Sequence, residues 1–207
     1  MTHDAVGAAH ALFEGLAQTA LPEWEQLAGR ASVRKVAPGE TLLREGAAWP
    51  QVAVVFRGLV KLVYLRDDGT ERIKSFIDAG GFFASLSALA PGGVSSFSVV
   101  AVEPSEIACL PYPVILELAD RHLSWQKALR RALEFYGQRK EQRERELLTL
   151  GPPDRYRLLL QRSPELLRRV PQKDLALYLG ITPVSLSRIR ARLGREGSGG
   201  RTLPTIL

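Results

Sequence analysis

The chain has 207 residues, 45% of them hydrophobic, enough for one large domain or two modest ones with a real core. It contains no run of 18 apolar residues, so no membrane-spanning helix is expected. Cys109 is the single cysteine, which excludes an internal disulfide and any four-cysteine metal or iron–sulfur cluster built from one chain. The formal net charge of +6 is unevenly placed: residues 1–150 hold 17 Lys/Arg against 18 Asp/Glu, whereas residues 151–207 hold 11 against 4. A surplus confined to the C-terminal segment suits a surface that meets phosphates; the plainer alternative is a solvated basic tail.

The stretch from Ala5 to Ala20 is alanine-rich, but it lacks a basic leader and contains Glu14. A signal peptide is therefore not expected, and the cytoplasm is the default location. Residues 12–28 read as a short helical opening, with Pro22 starting the segment Leu21–Ala28. From about residue 30 to 111 the texture is β: short Val/Ile/Leu/Phe runs are punctuated by Gly39, Gly46, Gly58, Gly69 and Gly80-Gly81. The clearest piece is a hairpin, Leu59–Leu65 and Glu71–Ile77 around Asp67-Asp68-Gly69. Two more strands are expected over 96–102 and 106–110. Many short strands at this spacing predict an antiparallel roll, jelly roll or small barrel.

From Pro113 the period becomes helical. A first helix is predicted over 113–120. A longer one starts near Ser124, a candidate cap, and runs to about Leu150, where Gly151-Pro152-Pro153 breaks it. Trp125, Leu129, Ala132, Leu133 and Tyr136 form an apolar stripe broad enough for a partner helix, and Leu147 resumes it after a charged stretch weakened by Gly137. These six apolar residues are the candidate seam of a parallel homodimer; the alternative is packing only on the chain's own β domain. The expected organisation is a mainly β domain over 1–120, a candidate dimerisation helix over 121–150 and a helical domain over 151–207.

The segment 171–193 is the most informative. After a helix around 154–162 and a Ser163-Pro164 break, Pro171 suits a first helical position, with Leu175, Ala176 and Leu179 on one face. Gly180 stops this helix as a left-handed cap, Thr182 caps the next, and Pro183 is its first residue. In the second helix Val184 or Leu186, Ile189 and Leu193 can face inward. Ser185, Ser187, Arg188, Arg190 and Arg192 then remain for a partner. Two short helices around a tight turn, the second bearing hydroxyls and arginines, have the layout of a DNA-reading helix-turn-helix.

In that order, the β-roll, long helix and C-terminal helix-turn-helix resemble the Crp/Fnr family of bacterial transcription regulators. The resemblance covers about residues 12–193. It rests on Pro38-Gly39-Glu40-Thr41-Leu42, Glu45-Gly46, Val54–Lys61, Asp68-Gly69, Gly81-Phe82, Leu179–Pro183 and Ser185–Arg190. It implies an α+β protein that works as a homodimer: the roll receives a signal, the long helices pair, and each recognition helix enters a major groove. Double-stranded DNA with an approximately palindromic operator, its half-sites about 34 Å apart, is the implied partner, with RNA polymerase as a further one. Carried over by position, Arg188 reads a base, bidentate to the guanine O6/N7 edge. Lys173, Thr182 and Ser185 are placed at the DNA, the latter two at phosphates; Ser187 faces the same groove, and Arg190 and Arg192 are backbone anchors. Many relatives have glutamate where Val184 stands, so their operator cannot be transferred to this chain. Relatives also follow the recognition helix with a two-stranded wing, whereas only Thr202–Leu207 remain after the Gly194–Arg201 stretch, so the wing is expected to be short or absent.

The resemblance also locates the segment that in cyclic-nucleotide-binding members holds the cyclic phosphate. Here it is Gly81–Phe97, with Ser85 at the position of a ribose-binding glutamate and Ser95 at that of a phosphate-binding arginine. No Lys, Arg, Asp or Glu occurs between Asp78 and Glu103. Removing one partner of a buried ion pair costs about 3–5 kcal/mol, so phosphate binding in that manner would weaken by roughly two to three orders of magnitude. A response to cyclic AMP is therefore not expected. Ser85, Ser87, Ser95 and Ser96 could hold a neutral or weakly polar effector of unknown identity, or simply bond to one another in a closed roll.

Other function classes fit less well. A metal enzyme on a jelly roll needs clustered histidine and carboxylate ligands. The only histidines are His3, His10 and His122, all outside the β region, so no enzyme, metal or cofactor is expected. A signalling adaptor that binds protein rather than DNA is the alternative, against which the basic C-terminal segment argues.

Overall fold

The computed structural model describes residues 2–66 and 68–198. The chain forms two compact units, Met1–Arg143 and Glu144–Leu207, which divide inside one long helix. The first unit begins with α1 (Thr2–Ala17) and α2 (Trp24–Ala28). Eight strands follow: β1 (Ser32–Val36), β2 (Thr41–Leu43), β3 (Gln51–Arg57), β4 (Leu59–Leu65), β5 (Glu71–Asp78), β6 (Phe82–Phe83), β7 (Ser98–Ala101) and β8 (Ser105–Pro111). The short helix α3 (Leu86–Leu89) lies between β6 and β7, and α4 (Tyr112–Arg121) and α5 (Leu123–Thr149) follow β8.

The strands form two four-stranded antiparallel sheets, ordered β1-β8-β3-β6 and β2-β7-β4-β5. The expected hairpin is β4–β5, in register from Leu59↔Asp78 to Leu65↔Glu71. Its turn is tightened by the Thr70 N–H donating to Asp68 Oδ1 at 2.9 Å. The α+β fold with an antiparallel roll and a long helix is thus the one the sequence predicts.

Strand alternation assigns the core. In β3, Ala53 and Val55 point into the roll with Val60, Leu62, Phe97, Val99, Ile107 and Cys109, while Val52 and Val54 point out to a second core. That second core is helical, contributed by α1, α2, α4 and the start of α5. The sheet β1-β8-β3-β6 is therefore covered on both sides.

Two helical boundaries differ from expectation. Helix α1 starts ten residues before residue 12, because Ala5, Ala9, Phe13 and Ala17 repeat every fourth position and are all buried. Such small side chains let a helix lie close to a sheet, but they read as composition rather than as a stripe. Helix α5 starts at Leu123, one residue before the proposed Ser124 cap.

The dimer-seam assignment needs one correction. Trp125 is fully buried within the first unit, its ring parallel to Trp24 at 6.0 Å and tilted against Phe13 at 6.1 Å. Its Nε1–H donates to the Pro22 carbonyl at 2.9 Å. Arg131 fastens the next turn of α5, donating to the Leu16 carbonyl at 2.9 Å and to Gln18 Oε1 at 2.8 Å. Trp125 belongs to the chain's own core and has no surface left for a partner.

The second unit contains the end of α5, then α6 (Pro152–Arg162), α7 (Pro164–Arg169), α8 (Gln172–Leu179) and α9 (Pro183–Ser198). Pro171 precedes α8 with ψ 144° rather than opening it. Helix α9 continues beyond Leu193 through Gly194. The expectation of a short or absent wing falls on Thr202–Leu207, which lie outside the described residues.

Replacing Trp125 with Ala is expected to destabilise the first unit by about 3–5 kcal/mol, the usual cost of deleting a large buried aromatic. Urea unfolding followed through the remaining tryptophans would measure it; a loss below 1 kcal/mol would contradict the packing described.

Candidate nucleic-acid interface and effector roll

The turn between α8 and α9 is built by three local devices. Gly180 adopts φ 73°, and the N–H of Ile181 reaches back to the Ala176 carbonyl at 3.0 Å, closing the end of α8. Thr182 then caps α9, its Oγ1 accepting from the Ser185 N–H at 3.1 Å and lying 2.9 Å from Ser185 Oγ. Leu175, Ala176, Leu179, Leu186 and Ile189 are buried with Tyr156, Leu159 and Val170 of the same unit. These contacts fix which side of α9 turns outward.

Of the two residues weighed for the inward position, Leu186 is buried and Val184 is 61% exposed. Thr182, Ser187, Arg188, Arg190 and Arg192 are exposed and Ser185 is half-buried, while Lys173 is exposed at the start of α8. The Ser185 hydroxyl is engaged by the cap, so it is less free than its sequence position implies. Sequence reading passed over Asp174, which is buried beside Lys173.

The roll's serines are mostly turned on themselves. Ser85 is fully buried, and its Oγ accepts from the Ser96 N–H at 3.2 Å and lies 3.0 Å from Ser87 Oγ. The Ser87 hydroxyl donates to the Val94 carbonyl at 2.9 Å, and that of buried Ser95 donates to the Phe97 carbonyl at 2.7 Å. The Ser95 backbone is paired with Gly46 and Ala47, both at 2.8 Å. A Cβ on Gly93 would collide with the Ser87 carbonyl, so this segment closes as tightly as a backbone allows. Of the four serines, Ser87 and Ser96 are exposed.

Residues 33–122 match the cyclic nucleotide-binding domain family. No curated protein sequence matches the chain. Among solved structures, FixK2 from Bradyrhizobium japonicum is similar at 20% identity, with 84% of this chain and 89% of that chain covered and a TM-score of 0.67. The c-di-GMP responsive global regulator CLP from Xanthomonas campestris is similar at 19% identity over 84% of this chain and 91% of that chain, with the same TM-score of 0.67. Thermus thermophilus catabolite activator protein is similar at 24% identity over 93% of this chain and 90% of that chain, with a TM-score of 0.54. At these identities the likeness is one of fold, and it extends through both units of the chain.

The cyclic nucleotide-binding-type domain holds the first half of α5 through Trp125, Ala128 and Leu129. Phe135 sits against Phe82 of β6 at 5.8 Å, and Arg139 donates to Ser75 Oγ at 3.1 Å. Of the remaining seam candidates in this unit, Leu133 is 53% exposed, while Ala132 and Tyr136 are half-buried. In the second unit Leu147 and its neighbour Leu148 are exposed.

Among the described residues, no group of three His, Cys, Asp or Glu could hold a metal ion, and no helix is long and apolar enough to cross a membrane. Cys109 lies inside the roll, and burial pushes its thiol up to about 11. The folded chain thus keeps a proton that the unfolded chain releases above its ordinary value of 9.0. The contribution of Cys109 to stability is expected to be intact below pH 9 and to be lost as pH rises through about 11. Native protein at pH 8 should resist iodoacetamide and react on unfolding; rapid alkylation of the native protein would contradict the buried thiol.

Proposed function

We propose that the chain is a homodimeric, sequence-specific DNA-binding transcription regulator of the Crp/Fnr type that does not respond to cyclic AMP. The observation that carries this reading is the outward side of α9, where Val184, Ser187, Arg188, Arg190 and Arg192 are exposed over a buried Leu186 and Ile189. Three exposed arginines along the middle of a capped helix, in the segment holding the basic surplus, suit major-groove entry. Arg188 reads guanine, and Val184 is free to touch a thymine methyl. Lys173, Thr182, Ser185, Arg190 and Arg192 meet the phosphates, and Ser187 faces the groove.

Pairing runs through α5. Leu133 and Leu147 form the seam, flanked by Leu129, Ala132 and Tyr136, which are partly engaged in their own unit. The roll is the regulatory domain, α5 over residues 121–150 the dimerisation element, and residues 151–207 the DNA-binding domain. A charge-free, self-bonded cassette supports control by protein abundance or by a weakly polar effector, rather than by a cyclic nucleotide. RNA polymerase is the further partner such a regulator meets, and the cytoplasm its location.

Fluorescence polarisation on DNA from the chain's own upstream region tests this directly. If the dimer neutralises about six phosphates, affinity falls about 10³-fold between 50 and 200 mM salt. Arg188→Ala is expected to remove about 1–3 kcal/mol of base discrimination, while Arg192→Ala weakens specific and non-specific binding alike. Binding without sequence preference would sink the proposal, and a large gain in affinity with millimolar cyclic AMP would refute the cassette reading.

A further inference from the structure

Lys74 is the residue that the fold treats most unusually. The β4–β5 register runs Leu62↔Ser75 and then Val63↔Ile73, so Lys74 is the extra, unpaired residue of a β-bulge. Bulges re-aim a side chain out of the strand's alternation. This one delivers the Lys74 ammonium into a cage of three aromatic rings: 4.2 Å above Phe97, 5.5 Å from Tyr64 and 5.6 Å from Tyr136. It also donates to Tyr136 Oη at 3.1 Å. Among the described residues no carboxylate pairs with it; its cationic charge is met by ring faces and one phenol.

The three rings come from three different parts of the unit. Tyr64 belongs to β4, Phe97 is the buried end of the serine cassette, and Tyr136 lies on α5. Phe97 is tied into the cassette by its carbonyl, which accepts from Ser95. Tyr136 stands in the turn of α5 between the Arg131 and Arg139 anchors. The ammonium group thus links the far end of the cassette to the helix, beside the Phe82–Phe135 contact at its near end.

We propose that Lys74 is a positioning residue that couples the cassette to α5 through the Phe97–Lys74–Tyr136 stack. Any shift of Phe97 moves the cation, and the cation moves Tyr136. The regulatory meaning of this link rests on the function proposed above, in which α5 passes the state of the roll to the DNA-binding unit.

Hydrogen exchange on the full chain without DNA tests the link, so its failure is distinct from a failure to bind DNA. In Lys74→Ala the amides of residues 95–98 and 133–139 are expected to exchange about tenfold faster together, a change equivalent to the loss of a partly desolvated cation–π contact. Lys74→Met keeps the apolar stem and should show the same paired loss, whereas Lys74→Arg should retain protection. Adding n-propylammonium, the fragment that Lys74→Ala removes, should restore protection in both segments, and n-propanol should not. Wild-type exchange in Lys74→Met, or a change in only one of the two segments, would overturn the proposal. If Lys74→Ala does not fold, the Met and Arg variants give the same decision.

Discussion

The burial of the β1-β8-β3-β6 sheet on both sides is the constraint from which the rest of the first unit follows. β3 and β8 supply apolar side chains to the roll interior and, from alternate positions, to the helices on the outside. A helical layer covers that outer side, and Trp125 is the largest fully buried side chain that seals it. The start of α5 is thus committed to its own chain before any partner is considered. Of the candidate seam residues, Leu133 and Leu147 are the exposed ones. Beyond Leu133 the helix is held by single contacts, Phe135 on Phe82, Tyr136 on Lys74 and Arg139 on Ser75, rather than by a core.

The roll's interior points the same way. Where a phosphate would need a buried counter-charge, the cassette offers hydroxyls already bonded to one another and to backbone carbonyls. Opening them for a neutral ligand would exchange hydrogen bonds at roughly even cost, whereas admitting an anion would also require desolvating it without compensation. Lys74, which lies over Phe97 of the cassette, comes from β5 and is held by aromatic rings. Residues 33–122 match a cyclic nucleotide-binding domain, and the stretch between Asp78 and Glu103 within them has no Lys, Arg, Asp or Glu.

Much of this was readable from residue order, and the exceptions have physical causes. The β4–β5 hairpin could be placed because a strong turn separates two apolar runs, and the α8–α9 turn because Gly180 and Thr182 perform specific backbone tasks. Helix α1 escaped because its buried stripe is mostly alanine, a weak hydrophobic signal. Trp125 lies on the apolar stripe yet serves its own core, because periodicity shows which side of a helix is apolar, not which surface covers it. Val184 and Leu186 could not be separated until the packing of α9 was known. The Lys74 cage had no signal at all, since it depends on a bulge and on three rings far apart in sequence.

Hydroxyl-radical footprinting of the full chain on DNA fragments selected for tight binding addresses the central claim most directly. Two equal protected tracks centred one helical turn apart, about 34 Å, are the expected result for paired α9 helices in successive major grooves. A single track, or uniform protection along the fragment, would contradict it.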